Sequence, residues 1–93
     1  MEHFSALPIF VTVVECGSFS LASQKLGLSK SAVSKRITLL EQSLGIQLLH
    51  RTTRSLSLTE AGARYFDYVR PAVRLAEEGL DAISELQQAP QGN

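Results

Sequence analysis

Apolar positions along the first half of the chain recur at helical spacing. Phe4, Leu7, Phe10, Val11 and Val14 fall on one side of a helix over about residues 4–15. The β-branched run Val11–Val14 also suits a strand, and the pattern alone leaves both readings open. Gly17 supplies a terminator. Ser18 and Ser20 are both N-cap candidates for a short helix over about residues 20–26, which carries Leu21, Ala22 and Leu26. Gly27 stops that helix, Leu28 is expected to plug the core from the turn, and Ser29 caps a third helix. In the third helix Val33, Ile37, Leu40 and Leu44 cluster within about 60° of one another, at about 100° per residue. Ser31, Ser34, Lys35, Thr38 and Gln42 fall on the far side, with Lys30 and Arg36 flanking the boundary, and Gly45 ends the helix.

The periodicity then changes. Residues 46–58, IQLLHRTTRSLSL, favour two short strands, with Leu48 or Leu49 and Leu56 and Leu58 facing inward and His50 to Ser55 forming an exposed tip. Thr59 caps a long last helix, and Glu60 sits favourably in its first turn. An apolar stripe runs Tyr65, Val69, Ala72, Val73, Ala76, Leu80, Ile83 and Leu86. Its start packs on the domain, but a helix of about twenty-five residues is more than so small a core covers. The surplus calls for a partner, most simply the same helix of a second subunit. Pro71 removes the bond to the Asp67 carbonyl, which predicts a kink or a local break. The tail from Gln87 to Asn93, with Pro90 and Gly92, reads as frayed or linker-like. These signals divide the chain into a compact head over 1–58, a long helix over 59–88 and a tail over 89–93. The fold class they predict is all-α with a small β-wing.

Composition narrows the class. Ninety-three residues make one small domain, and a hydrophobic fraction of 44% suits a folded core. No apolar run approaches the roughly 18 residues of a membrane span, and the acidic N-terminus lacks the basic start of a secretory signal. The lone Cys16 has no partner for an internal disulfide, so a reducing cytoplasm is the expected home. A thiol sensor would lack a resolving cysteine.

The formal net charge of zero conceals a segregation. Residues 1–29 carry Lys25 against Glu2 and Glu15, a net −1. Residues 30–54 carry Lys30, Lys35, Arg36, Arg51 and Arg54 against Glu41, a net +4. Residues 55–93 carry three arginines against six carboxylates, a net −3. Positive charge is therefore concentrated on the third helix and the hairpin, the electrostatic footprint of a nucleic-acid binder. The third helix has the chemistry for it. An apolar stripe anchors it to a core, short side chains let its backbone approach a groove floor, hydroxyls bond bases or phosphates, and a lysine reaches a guanine or a phosphate. A short helix, a tight turn and this helix make a helix-turn-helix. The arginines of the hairpin would flank it as a wing, reaching phosphates or a minor groove.

Three other classes fit less well. An enzyme would need paired carboxylates, a nucleophile with a base or a glycine-rich phosphate loop, and none is present at a workable spacing. A metal sensor would have only His3, Cys16 and His50, which form no short ligand motif. A dimerisation or protein-interaction module accounts for the last helix but gives no reason for the small, basic face of the third.

The ordered stretches Gly17-Ser18-Phe19-Ser20, Leu21-Ala22, Leu26-Gly27, Ser31-Ala32-Val33-Ser34, Leu40-Glu41, Leu44-Gly45, Leu48-Leu49-His50-Arg51 and Leu58-Thr59-Glu60-Ala61-Gly62 carry a family resemblance. Over about residues 4–88 the chain resembles the N-terminal DNA-binding domain of bacterial LysR-type transcriptional regulators. The resemblance implies a winged helix-turn-helix followed by a linker helix that pairs in a homodimer. It implies sequence-specific binding of double-stranded DNA at an interrupted palindromic operator, by a cytoplasmic, nucleoid-associated protein that is tetrameric at full length. It implies no cofactor in this domain. A small-molecule inducer would bind a larger effector domain beyond the linker, absent from these 93 residues, so the chain is expected to be a piece of a longer protein.

By the same resemblance, DNA contacts fall on Ser18 and Ser20 at the start of the first motif helix and on Lys30, Ser31, Ala32, Ser34, Lys35 and Thr38 of the recognition helix. Arg51, Thr53 and Arg54 provide those of the wing. The dimer interface falls on Tyr65, Val69, Val73, Ala76, Leu80 and Ile83. Lys30 stands where the family often has Gln, Lys35 where it often has Arg, and Leu49 where it often has Phe. A lysine at the second of these cannot make the planar two-pronged contact of an arginine.

Overall fold

The computed structural model describes residues 2–51 and 56–88. A 3-10 turn over Glu2–Ala6 leads into α1 (Leu7–Cys16), followed by α2 (Phe19–Leu26), α3 (Lys30–Leu44), β1 (Leu49–Arg51), β2 (Leu56–Leu58) and α4 (Glu60–Gln88). The predicted all-α fold with a two-stranded wing and a long final helix is the fold observed. The run Val11–Val14 is helical. Pro8 stands in the first turn of α1, where its missing N–H costs nothing, and the regular helix starts there instead of at Phe4.

The turns follow the capping residues. Ser18, not Ser20, caps α2: its hydroxyl accepts from Leu21 N at 3.2 Å. Ser29 caps α3 by accepting from Ala32 N at 3.1 Å. Between the two helices Gly27 adopts φ +69°, a left-handed conformation that makes the three-residue turn possible. Leu28, expected in the core, is 40% exposed. The backbone leaves the turn with Leu28 pointing outward, and Leu26 on the preceding turn packs against the core in its place.

The core lies between α1, α3, the hairpin and the first part of α4. Phe10, Val13, Ala22, Val33 and Ile37 are fully buried, with Leu40, Leu48 and Leu49 at 1% exposure. The strands pair antiparallel in the register Leu49 with Leu58, His50 with Ser57 and Arg51 with Leu56. Both Leu48 and Leu49 are buried, although strand alternation would allow only one. Leu48 precedes the strand, so the period of two does not govern it. Leu56 and Leu58 are half-buried around an exposed Ser57, as expected for one inward face.

The hairpin is joined to α4 through the backbone of Gln47 and Leu48. Thr59 N donates to Leu48 O at 3.0 Å, the Thr59 hydroxyl donates to Gln47 O at 2.7 Å, and the same hydroxyl accepts from Gly62 N at 2.9 Å. Thr59 therefore caps α4 as predicted and also fastens it to the strand entrance. This brings α4 so close that a Cβ on Gly62 would overlap the Leu48 carbonyl oxygen. From there α4 runs unbroken through Pro71 to Gln88, so the predicted local break is absent. Pro71 lies on the exposed side, where the Asp67 carbonyl it leaves without its helical partner can face water.

Val69 and Val73 are 4% and 9% exposed in this chain's own core, and Tyr65 is half-buried with its ring 5.8 Å from that of Phe10. Burial raises the Tyr65 phenol above its ordinary pKa, so it packs as a neutral aromatic. Glu15 of α1 takes Arg70 Nε at 3.0 Å and Arg74 Nη2 at 3.3 Å, linking α4 to α1 at the edge of the core. After Val73 every described residue of α4 is exposed. The described fold extends 57 × 24 × 20 Å, with α4 projecting from the head.

Replacing Gly62 by Ala drives a methyl into backbone, which cannot move aside as a flexible side chain would. The expected cost is about 2 kcal/mol or more, read as a fall in Tm of roughly 10 °C in a thermal melt. An unchanged Tm would contradict the close approach of α4 to Leu48.

Candidate nucleic-acid interface

The outward face of α3 forms the site. Its inner face is locked by Val33, Ile37 and Leu40, all at 1% exposure or less. Lys30, Ser31, Lys35 and Gln42 are exposed, and Ala32, Ser34 and Thr38 are half-buried along the flanks. Neither Lys30 nor Lys35 has a carboxylate partner among the described residues. The first turns of α2 and α3 contain no acidic residue. The N–H groups at those two helix starts and the lysines give the face a positive potential, with no carboxylate paired to either lysine among the described residues. Ser18 spends its hydroxyl oxygen on the α2 cap, while Ser20 is exposed.

Arg51 is exposed at the end of β1, but its side chain turns away from the tip. It lies in β1, and its guanidinium reaches back across α3. Nη1 donates to Ser34 Oγ at 3.1 Å and to Thr38 Oγ1 at 3.2 Å, and Nη2 pairs with Glu41 Oε1 at 3.4 Å. Its Cζ stands 5.1 Å above the Phe19 ring of α2. The structure thus brings Ser34, Thr38 and Arg51 together. Thr53 and Arg54 lie outside the described residues.

Sequence reasoning passed over Glu41. Its side chain is 15% exposed, and Oε2 accepts from Leu48 N at 2.7 Å and Leu49 N at 3.1 Å. The signal for it was available: Glu41 is the single carboxylate within the basic segment 30–54. A lone acid there is placed to organise the cations around it.

Other chemistry is thinly represented. Among the described residues no three His, Cys, Asp or Glu side chains gather as a metal-binding set. The side chain of His3 lies outside the described residues. No described helix is long and apolar enough to cross a membrane.

Comparisons with known proteins agree with this geometry. The model of the bacterial regulatory helix-turn-helix proteins of the lysR family matches residues 4–63. An HTH-type transcriptional regulator of Xanthomonas campestris pv. campestris is 50% identical over 84 residues, covering 90% of this chain and 24% of that protein. The HTH-type transcriptional regulator CrgA of Neisseria meningitidis is 49% identical over 89 residues, covering 92% of this chain and 29% of its own length. The chain thus spans about a quarter of the length of these relatives. Among solved structures, the BenM DBD in a complex with catB site 1 DNA superimposes with a TM-score of 0.79 at 30% identity, covering 94% of this chain and 97% of that one. With the family model matched over residues 4–63 and relatives about half identical over nine-tenths of its length, the chain belongs to the LysR family of bacterial helix-turn-helix transcriptional regulators.

Proposed function

We propose that this chain binds double-stranded DNA sequence-specifically, with α3 lying in the major groove. The observation that carries the reading is the outward face of α3, where two lysines with no carboxylate partner among the described residues and short hydroxyls stand on a helix locked from behind. Lys35 and Ser31 reach base edges or phosphates, Lys30 meets the backbone at the entrance, and Ala32 allows close approach. Ser18 and Ser20 lie beside a phosphate at the start of α2. Thr53 and Arg54 make the wing contacts, on the strength of the family resemblance alone. The BenM DBD, which shares this fold, is found in a complex with DNA, which supports DNA as the partner. An interaction module would leave these cations without a purpose.

The same reading makes the protein a homodimer on an interrupted palindrome. Its support is the unused side of α4. Tyr68, Ala72, Leu75, Gly79, Ala82 and Leu86 follow a 4-3-4-3-4 spacing and are all exposed, with Leu80 and Ile83 beside them at 69% and 55% exposure. Ala76, Leu80 and Ile83 remain available to a partner. Val69 and Val73 are buried in the head and have little surface to give. In the whole protein a further domain would bind a small-molecule inducer, the dimers would pair into a tetramer, and the protein would act in the cytoplasm.

The experiment is fluorescence anisotropy with a duplex from upstream of the protein's own gene and a shuffled control, each at two salt concentrations. Preference for the first duplex that survives the higher salt supports sequence-specific regulation. Absence of binding to both at low salt overturns it. Lys35→Ala is expected to weaken binding to the preferred duplex about tenfold and to leave Tm unchanged. Equal affinity would remove Lys35 from the interface.

Leu75→Asp or Leu86→Asp is expected to turn a sedimenting dimer into a folded monomer. An unchanged dimer in both variants would place the interface elsewhere.

A further inference from the structure

Arg51 donates to two hydroxyls at once, and this constrains what those hydroxyls can present. A guanidinium has only donors. Ser34 Oγ and Thr38 Oγ1, at 3.1 and 3.2 Å from Nη1, must therefore accept from it, which commits a lone pair of each to Arg51. Their protons remain to be donated. The hydroxyls of Thr12, Ser23 and Ser43 spend theirs on carbonyls of their own helices. Among the described residues those of Ser34 and Thr38 donate to no protein acceptor. Arg51 is itself fixed from three sides, by Glu41 Oε1, by the two hydroxyls and by the Phe19 ring, and Glu41 is in turn held by the Leu48 and Leu49 amides.

We propose that Arg51 is a positioning residue that sets the hydrogen-bond polarity of the recognition helix. Held on Glu41, it turns Ser34 and Thr38 into donors toward DNA. The face then favours acceptor edges in the major groove, namely purine N7, guanine O6 and thymine O4, over the exocyclic amino groups of cytosine and adenine. This rests on the proposed DNA reading of α3 and goes beyond it. It assigns the class of base edge that the Ser34 and Thr38 flank reads, and gives Arg51 a role other than touching a phosphate.

The test starts from a duplex selected out of a random-sequence pool by the wild-type chain. Affinities for that duplex and its single-base-pair variants are measured over a salt series for the wild type, Arg51→Ala, Ser34→Ala, Thr38→Val and the double variant Arg51→Ala/Ser34→Ala. The expected result for Arg51→Ala is about a tenfold loss of discrimination at the base pairs where Ser34→Ala or Thr38→Val also loses it. The salt slope should be unchanged, and the double variant should lose no more than Arg51→Ala alone.

A slope reduced by about 0.9, with all duplexes weakened evenly, would make Arg51 a phosphate contact and overturn the inference while leaving the proposed function standing. Additive losses in the double variant would also overturn it. If Arg51→Ala fails to fold, Ser34→Ala and Thr38→Val decide. Retained discrimination in both variants overturns the inference. A wild-type chain that selects no sequence overturns the proposed function, and the inference with it.

Discussion

Glu41 holds the joint on which the outward face of α3 depends. Its backbone carbonyl accepts from Gly45 N at 2.8 Å and Ile46 N at 3.2 Å, which closes α3. Its carboxylate reaches forward to the Leu48 and Leu49 amides, which starts the hairpin. The second oxygen takes Arg51. One residue thus ends the recognition helix, begins the wing and fixes the cation between them. A charge-assisted bond to a backbone N–H is stronger than a neutral one and more costly to leave unmade, because amides without partners would then be shielded from water. The Leu48 carbonyl carries the constraint onward by accepting from Thr59 N where α4 begins. α3, the hairpin and α4 are thus connected through Glu41, Leu48 and Thr59.

Within that frame the charges divide the work. Lys30 and Lys35 have no intramolecular partner among the described residues and remain available to an outside anion. Arg51, Arg70 and Arg74 are spent on carboxylates inside the chain. Counting cations by segment does not separate these two kinds, because the difference lies in whether a carboxylate is brought near. Among the described residues Glu15 and Glu41 do this between elements, one linking α4 to α1 and the other linking the hairpin to α3, while Glu60 pairs with Arg64 within α4.

Much of the fold was legible because local and tertiary signals agree. Ser29 before the helix and Gly45 after it bound α3, and the spacing of Val33, Ile37 and Leu40 names its buried side. The misread positions are those where tertiary contact overrides the local pattern. Leu28 is as apolar as Leu26, but the left-handed turn at Gly27 directs it outward. Leu48 is buried as well as Leu49 because the Glu41 carboxylate, seven residues back, holds the chain before the strand begins. On α4 one broad stripe was read where there are two. Val69 and Val73 face the head, while Tyr68, Leu75 and Leu86 lie on an adjacent side. At about 100° per residue their directions lie roughly 100–160° from those of Val69 and Val73, and Ala72, which falls between the two sides, joins them into one apolar pattern in the sequence. The reach of Arg51 was not legible, since a long side chain in a short strand can point to a tip or back across a helix. Its direction follows the Glu41 carboxylate, which the sequence shows only as the single acid among the cations of residues 30–54.

The most direct test of the account is amide chemical-shift mapping of the 93-residue chain titrated with its selected duplex and with a shuffled one. The account predicts the largest specific shifts at Lys30 to Lys35 and at the start of α2, with Leu75 to Leu86 of α4 unaffected by the choice of duplex. Specific shifts centred on the exposed stripe of α4, with α3 unchanged, would contradict the claim that this helix face reads DNA.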